Sequence, residues 1–165
     1  MLPSFDPLRF RQALGNFATG VTIVTAVDTI GKDVGLTANS FNSVSLDPPL
    51  VLWSIGKTSS VFDEFIAARH FAIHILASDQ VELASRFSQK GIDRFAGIAP
   101  QRGASGVPLL DGCVARFECR TVHRYEGGDH IILVGEVLNY DQLPLEPLVY
   151  KRGRYALAVE KSPTD

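Results

Sequence analysis

Small and hydroxyl-bearing residues are concentrated in one stretch of the chain, residues 35–60, around two segments that otherwise resemble buried strands. The polar members of this stretch are Thr37, Asn39, Ser40, Ser43, Ser45, Ser54, Thr58, Ser59 and Ser60. Buried polar groups cost free energy unless they are hydrogen-bonded, so these side chains need partners. Either the hydroxyls bond to the backbone of their own barrel and one serine caps a helix, or they form a polar wall and a phosphate cradle for a bound cofactor. The residues alone leave both interpretations open.

The common cofactor and catalytic motifs are missing from the sequence. It contains no GxGxxG fingerprint and none of the strand–helix–strand alternation which that fingerprint requires. Gly56, Lys57 and Thr58 resemble the end of a phosphate-binding P-loop, but the glycine required five residues earlier is replaced by Val51, inside a predicted strand. GxSxG and HExxH are also absent. Motifs of this kind therefore leave the function class open.

Cys113 and Cys119 are predicted to be core residues on one face of a single strand. At about 3.3 Å per residue they are roughly 20 Å apart, beyond the reach of a disulfide. The sequence has neither CxxC nor paired-histidine spacing, so we expect no metal site. His70, His74 and His123 show no converging pattern and are expected to be structural or solvent-facing.

The size and charge of the chain favour one globular domain that spans residues 1–165. Of the 165 residues, 45% are hydrophobic and 21% are charged, and the net charge is −2. A net charge of −2 argues against nucleic acid or an anionic membrane as the main partner. No apolar run approaches the ~18 residues of a membrane-spanning helix, and the first residues lack a secretory hydrophobic region. We therefore expect a cytoplasmic protein without membrane contact.

Hydrophobic periodicity and turn signals predict a mainly β protein with short flanking helices. Asp6 and Pro7 are typical of an N-cap and a first helical position, and Asp79 with Glu82 is typical of a capping box. Helices are predicted from residue 7 to about residues 15–20, over 59–69, and from 79 to about 89. Strands are predicted over 21–27, 34–44, 50–55, 71–76 and 155–159.

The clearest pattern is a long antiparallel hairpin in the last third of the chain. The residues expected on its buried face are Cys113, Ala115, Phe117, Cys119 and Thr121, and those expected on its solvent face are Arg116, Glu118, Arg120 and Arg124. Residues 126–129 turn the chain, and 131–140 return as the partner strand. Residues 90–112, rich in glycine and proline, are predicted to be an ordered surface loop. Six or seven strands with three short helices indicate a closed or split barrel.

Five blocks of the sequence, taken in order, resemble the flavin reductase-like, split-barrel FMN-binding family. The blocks are LGNFATGVTIVTA, GLTANSFNSVSLDPPLVLWSI, RFSQKGIDRFAG, GGDHIILVGEV and the closing YxxGxY, and they cover nearly the whole chain. The family includes the reductase components of two-component flavin-dependent monooxygenases. The resemblance implies a split β-barrel of the FMN-binding type.

The resemblance also implies which residues would hold a flavin, either FMN or FAD. Those expected against the isoalloxazine ring and the ribityl chain are Thr37, Ala38, Asn39, Ser40, Ser54, Ile55 and Gly56. Ser59 and Ser60, at the start of a predicted helix, would bind the flavin phosphate through hydroxyls, backbone N–H groups and the helix dipole. Lys57 and Arg86 would add positive charge there, Arg86 by a bidentate contact. Considered without the resemblance, Arg86 is a solvated helix residue.

Two further blocks point to NADH or NADPH as the co-substrate. Residues 128–130, Gly-Asp-His, match a signature that the family associates with the nicotinamide cofactor, which makes His130 the candidate for a catalytic role. Without the resemblance, this segment is a hairpin turn followed by a polar residue. Gly153, Arg154 and Tyr155 match the closing block near the nicotinamide site, although Tyr155 by itself is equally a barrel-rim aromatic.

The reaction that the resemblance implies is hydride transfer from C4 of NAD(P)H to N5 of the flavin, with reduced flavin supplied to a separate monooxygenase component. Two alternatives remain: a flavoprotein that keeps its flavin and reduces another acceptor, and a flavin-binding module without turnover. The resemblance further implies a homodimer with the flavin near the interface. The dependence of NAD(P)H oxidation on added flavin separates these alternatives.

Overall fold

The computed structural model describes residues 5–163, which form three short helices and twelve strands. The helices are α1 (Pro7–Leu14), α2 (Phe62–Ala67) and α3 (Val81–Ser88). The strands are β1 (Thr19–Gly20), β2 (Thr22–Val27), β3 (Asp33–Ala38), β4 (Asn42–Leu46), β5 (Pro49–Gly56), β6 (His70–Ile75), β7 (Gln101–Arg102), β8 (Pro108–Leu109), β9 (Ala115–Gly127), β10 (His130–Gln142), β11 (Leu148–Lys151) and β12 (Arg154–Leu157). The predicted class, mainly β with short flanking helices, is confirmed.

Seven strands form one antiparallel sheet in the order β3-β2-β6-β9-β10-β5-β4. The sheet curls so that β3 approaches β5. The loop after β3 is tied to β5 by Ser40, whose hydroxyl accepts from the Ser54 N–H at 2.9 Å and donates to the Ser54 carbonyl at 3.2 Å. The curled sheet is the split barrel that the resemblance implied, and its closure brings the two halves of the hydroxyl-rich segment side by side.

A separate three-stranded sheet, β1-β11-β12, is attached to the end of β6. The attachment includes the Leu148 N–H, which donates to the Leu76 carbonyl at 2.9 Å. Within this sheet Tyr150 pairs with Tyr155, and their rings meet edge to face with centroids 5.5 Å apart. The predicted strand at 155–159 is therefore confirmed in part, as β12, whereas β1 and β11 were not predicted.

The barrel interior is filled by large apolar side chains. Trp53 of β5 is fully buried and packs edge-on against Phe65 of α2 and Phe71 of β6, with ring centroids 5.1 and 6.1 Å away. A second cluster surrounds Phe87 of α3, which packs edge-on against Phe95 with centroids 5.1 Å apart. Full burial of a side chain of this kind contributes roughly 1.5–3 kcal/mol, so one aromatic residue anchors each of α2 and α3 to the barrel.

Two predicted helix starts are corrected by the structure. The segment 59–69 becomes helical only at Phe62, because the Ser59 N–H first closes a turn onto the Gly56 carbonyl at 2.9 Å. α3 begins at Val81, and the capping box predicted from residues 79 and 82 is not formed. Gln80 precedes the helix, and its side chain bonds instead to the Ala77 N–H and the Asp111 carbonyl, both at 2.9 Å.

The N-terminal helix follows its prediction. The Asp6 carboxylate accepts from the N–H groups of Leu8 and Arg9 at 2.9 and 3.3 Å, and Pro7 occupies the first turn. The extended segment 34–44 is divided at residues 39–41 into β3 and β4, because the chain leaves one edge of the curled sheet and enters the other.

The long hairpin is confirmed as β9 and β10, but the predicted solvent exposure of Glu118 is wrong. This side chain is buried against Gly103, which has no space for a Cβ, and accepts from the Asn139 amide at 3.3 Å. The β9–β10 ladder contains register shifts between residues 134 and 135 and between 137 and 139. These shifts leave the alternation of β9 intact at Glu118, whose burial comes from the segment containing Gly103 that covers this face of the strand.

Residues 90–112 are more than the predicted surface loop. They contain the two-stranded ladder β7–β8 and bury Val107, Leu109 and Leu110. Cys113 and Cys119 are free core residues as predicted, although Cys113 precedes β9, and burial raises the pKa of their thiols to about 11 and about 12. Within residues 5–163, no helix combines the length and the apolar character needed to cross a membrane.

A two-part groove as the candidate cofactor site

The candidate site is a groove made of two adjoining depressions that share Thr37 and Ser88. The first, here called the aromatic pocket, has a volume of about 230 Å³ and is lined by Val21, Thr37, Ala38, Asn39, Ser88, Tyr150 and Tyr155. The second, here called the cationic pocket, has a volume of about 240 Å³ and is lined by Leu36, Thr37, Gly56, Thr58, Ser59, Ser60, Phe87, Ser88, Lys90 and Arg94. The groove therefore joins the end of β3 to the turn after β5 and to the loop after α3.

The aromatic pocket has one wall of small residues and one of tyrosines. The small wall is rigid because the Thr37 hydroxyl donates to the Ala84 carbonyl at 2.6 Å and the Ala38 carbonyl accepts from the Thr22 hydroxyl at 2.7 Å. Across the pocket stand the paired rings of Tyr150 and Tyr155. Short side chains on a fixed strand let a flat ligand approach the backbone closely, and π-faces favour stacking.

The cationic pocket is lined by hydroxyls and by two positive charges. Ser59 and Ser60 lie in the turn before α2, where the Ser59 hydroxyl makes only a long contact of 3.4 Å with the Val61 N–H. This turn does not present a helix terminus, since α2 starts later and has only six residues. Lys90 and Arg94 line the same pocket and belong to the loop after α3. Hydroxyls together with an arginine fork and an ammonium group form a donor set suited to a phosphate.

Arg94 is held in place by backbone carbonyls. Its Nε donates to the Gln89 carbonyl at 2.9 Å, and its Nη1 donates to the Gly35 carbonyl at 2.6 Å. Burial lowers the pKa of Arg94 from its usual value, although the guanidinium stays charged. Gly35 also lets Phe87 pack against β3, because a Cβ there would lie 2.8 Å from the Phe87 ring.

Neither of the two predicted phosphate cations, Lys57 and Arg86, lines the groove. Lys57 forms an ion pair of 2.6 Å with Glu126 on the exposed hairpin. The Arg86 guanidinium donates to the carbonyls of Asp93, at 3.4 Å, and Ala96. Arg86 thus braces the loop that carries Arg94.

Other predicted site residues are divided between the groove and its support. Ser40 and Ser54 bond to each other across the barrel closure, and Ile55 is a core side chain. Gly153, at φ 75, lines a different depression beside α1, and Arg154 is exposed at the start of β12. The structure gathers Thr37, Ala38, Asn39, Gly56, Ser59, Ser60 and Tyr155 at the groove.

His130 stands at the rim of the cationic pocket. It pairs with Gly56 across β5 and β10, and its Nε2 lies 3.5 Å from the position that a Cβ on Gly56 would occupy. Its Nδ1 is 2.7 Å from the Asp129 carboxylate, a contact that lowers the pKa of Asp129. The ring is about half exposed, so it is accessible to a second ligand above the groove.

Sequence reasoning missed Lys90, Arg94, Ser88 and Tyr150. The signal was present for the two cations, because both belong to the block RFSQKGIDRFAG. That block also contains Arg86, and nothing local in the sequence distinguishes the arginine that turns inward to the groove from the one that braces the loop.

Residues 14–158 match the family described as Flavin reductase like domain. The FMN reductase (NADH) SmoA of Agrobacterium fabrum is 49% identical over 146 residues, which are 88% of this chain and 83% of that protein. The reductase component of the flavin-dependent trigonelline monooxygenase of Acinetobacter baylyi is 46% identical over 155 residues, 94% of this chain but 50% of the relative. The chain thus spans only about half the length of some of the relatives it matches. The NADH:FAD oxidoreductase SgcE6 of Streptomyces globisporus superposes with a TM-score of 0.90 at 36% identity, covering 98% of both chains.

Proposed function

Because the chain belongs to the flavin reductase-like family, we propose that it is an NAD(P)H:flavin oxidoreductase that reduces FMN or FAD and delivers the reduced flavin to a separate monooxygenase component. The observation that carries the proposal is the continuity of the groove, which joins a small-residue wall with facing tyrosines to a pocket with two cations. A flavin mononucleotide has the same sequence of parts: a flat ring, a polar chain and a phosphate.

In this proposal each part of the groove has one task. Thr37, Ala38 and Asn39 contact one face of the isoalloxazine ring, and Tyr155 borders the ring at its edge. Ser59, Ser60, Lys90 and Arg94 hold the phosphate. The hydrogen bonds that hold Thr37 and Arg94 preorganise these two residues, so they need little ordering when the flavin binds.

The chain contributes positioning to the reaction. When bound, the flavin accepts at N5 the hydride that NADH or NADPH gives from C4. Such transfer needs the reacting atoms about 3–3.5 Å apart, so the protein must hold the ring while leaving one face open. Thr37 fixes the wall where the two pockets join, and Arg94 is fixed in the cationic pocket. His130, fixed by Asp129 at the rim, is placed to orient the nicotinamide cofactor.

A homodimer in the cytoplasm is the assembly that we propose. α1 buries none of its residues, and its apolar Phe10 and Leu14 are exposed together with Phe17. Exposed apolar groups of this size are typical of an interface. The two cysteines are free and buried, which suits a reducing compartment. Sedimentation equilibrium of the wild type and of Phe17→Asp tests the dimer, which the substitution should weaken.

The activity is tested by measuring NAD(P)H oxidation from nicotinamide absorbance with no flavin, with FMN and with FAD. We expect turnover that saturates with added flavin and is negligible without it. Oxidation that needs no added flavin would instead identify a protein that keeps its flavin. Binding of flavin without oxidation would identify a non-catalytic module.

A further inference from the structure

A cluster of unpaired positive charges lies outside the groove, where the turn between β11 and β12 meets α1. The cluster, here called the basic patch, consists of the exposed side chains of Arg11, Lys151, Arg152 and Arg154. None of the four is paired with a carboxylate within residues 5–163. Building on the proposed function, we propose that the basic patch is the docking surface for an acidic face of the monooxygenase component that receives the reduced flavin.

Two members of the basic patch line a depression of about 420 Å³ between α1 and the turn. Its lining residues are Arg11, Gln12, Gly15, Asn16, Arg152 and Gly153, so it contains two guanidinium groups and no carboxylate. The Nε of Arg152 donates to the Asn16 side-chain oxygen at 2.8 Å, which leaves both of its Nη groups for a ligand. A guanidinium fork binds a carboxylate through two parallel hydrogen bonds, so this depression suits the side chain of an aspartate or a glutamate.

The turn that carries the basic patch is fixed against α1. Arg152 and Gly153 adopt φ 50 and φ 75, the two positive values that a two-residue type I′ turn requires. This conformation is unfavourable for an arginine, whereas asparagine and glycine adopt it readily. The Arg152 N–H donates to the Gly15 carbonyl at 2.8 Å, which helps to hold the strained residue in place. A side chain that is already positioned in this way loses little freedom when a partner binds.

The basic patch adjoins the tyrosine wall of the aromatic pocket. Tyr150 and Tyr155 pair across β11 and β12 and line that pocket. Lys151 and Arg154 are the next pair in the same ladder, one residue closer to the turn. Consecutive strand residues are about 3.3 Å apart along the strand, so a protein that docks on the patch lies beside the proposed flavin groove. This is the position that a component receiving the reduced flavin needs.

The distribution of charge favours an acidic protein over other polyanions. The four cations are exposed and belong to two different parts of the chain, so they form a surface rather than an enclosed cavity. Arginine is enriched in protein interfaces, where complementary charges speed the encounter and select the partner. The whole chain has 16 Lys and Arg against 18 Asp and Glu, and this net negative charge disfavours nucleic acid and anionic membranes at long range.

The experiment uses rhodamine-labelled poly-L-glutamate in place of an acidic protein surface, and fluorescence anisotropy follows its binding to FMN-saturated protein. We expect saturable binding that weakens as salt is added, because exposed charges are screened. Arg11→Glu and Lys151→Glu should each weaken it about fivefold. Arg69→Glu is the matched control, because Arg69 is an exposed cation outside the patch with no carboxylate partner within residues 5–163, and its affinity should stay within about twofold of the wild type. NADH oxidation with FMN should be the same in Arg11→Glu as in the wild type.

Absence of binding by the wild type, or an equal loss in Arg69→Glu, would overturn the docking surface while leaving the proposed reductase intact. Displacement of the polymer by NADH would overturn it too, because the cations would then serve the nicotinamide cofactor. Tighter binding to duplex DNA or to phosphatidylglycerol vesicles would assign the patch to another class of partner, and loss of the dimer in Arg11→Glu would assign it to contact between copies. Absence of NADH oxidation with FMN in the wild type would remove the proposed function together with the monooxygenase as the partner.

Discussion

Replacing Arg94 by alanine separates the phosphate contact from every other flavin contact. Arg94 lines the cationic pocket, whereas Arg86, eight positions earlier, points its guanidinium at loop carbonyls. We expect Arg94→Ala to weaken FMN binding about ten- to hundredfold more than it weakens binding of riboflavin, which lacks the phosphate. Arg86→Ala should lower both affinities by similar factors, since it loosens the loop without removing a ligand contact.

The size of the effect follows from the bonds that Arg94 makes. Its Nε and Nη1 are used by the carbonyls of Gln89 and Gly35, which leaves Nη2 for a ligand. One hydrogen bond to a charged group contributes roughly 1.5–3 kcal/mol, and each 1.4 kcal/mol changes the affinity about tenfold. Loss of the two backbone bonds also loosens the loop, but that cost affects FMN and riboflavin alike. The ratio of the two affinities therefore isolates the phosphate contact.

Fluorescence-quenching titrations with FMN and riboflavin measure this ratio, and Arg94→Lys provides an intermediate that keeps the charge but loses the fork. Raising the salt concentration should weaken FMN binding and leave riboflavin nearly unaffected, because only the phosphate interaction is screened. Equal losses for both ligands in Arg94→Ala would refute the reasoning. A phosphate-selective loss in Arg86→Ala would instead restore the role that the sequence predicted for Arg86.

Three further predictions concern the rim, the core and one buried titrating group. His130→Ala should raise the KM for NAD(P)H or slow reduction of the bound flavin in stopped-flow experiments, while flavin affinity stays within about threefold of the wild type. A lower Tm with unchanged kinetics would instead show that His130 is structural. Gly135→Ala should lower the free energy of unfolding by about 1–3 kcal/mol in urea denaturation, because the added Cβ would lie 2.5 Å from the Phe71 ring; an unchanged midpoint would contradict this packing. Burial lowers the pKa of His74 from 6.5 to about 4. Between these two values the unfolded chain binds a proton at His74 that the folded protein does not bind. The free energy of unfolding should therefore drop by about 2 kcal/mol as the pH falls to 5. Urea denaturation at several pH values measures this drop, and the midpoint of His74→Gln should depend much less on pH than that of the wild type. An equal pH dependence in both proteins would show that other groups cause it.

The elements that could be predicted from the sequence are those whose signals are local. Asp6 and Pro7 started a helix as expected, and the alternation of small and β-branched residues identified β2. The short strands β1 and β11 carry little pattern of their own and exist because they pair with each other across more than a hundred residues. The burial of Glu118 likewise depends on a distant loop, which covers this side chain at Gly103.

Part of the hydroxyl-rich segment fits the structural interpretation, and another part lines the proposed cofactor groove. Thr37 and Ser40 bond to backbone groups, as a purely structural account requires. Ser59 and Ser60 instead border a pocket with two cations. The two roles are physically linked, since the bonds of Thr37 and Ser40 fix the wall and the closure beside which the pocket forms.

The cations of the groove could not be assigned from the sequence because their positions depend on packing between distant elements. Phe87 fits against β3 only because position 35 is glycine, and the same glycine offers its carbonyl to Arg94. Arg86 then bonds to carbonyls on either side of Arg94 in the chain, those of residues 93 and 96. We therefore expect Arg86 to support flavin binding by holding the loop without touching the phosphate, and the signature of such a role is an equal loss of affinity for ligands with and without that group.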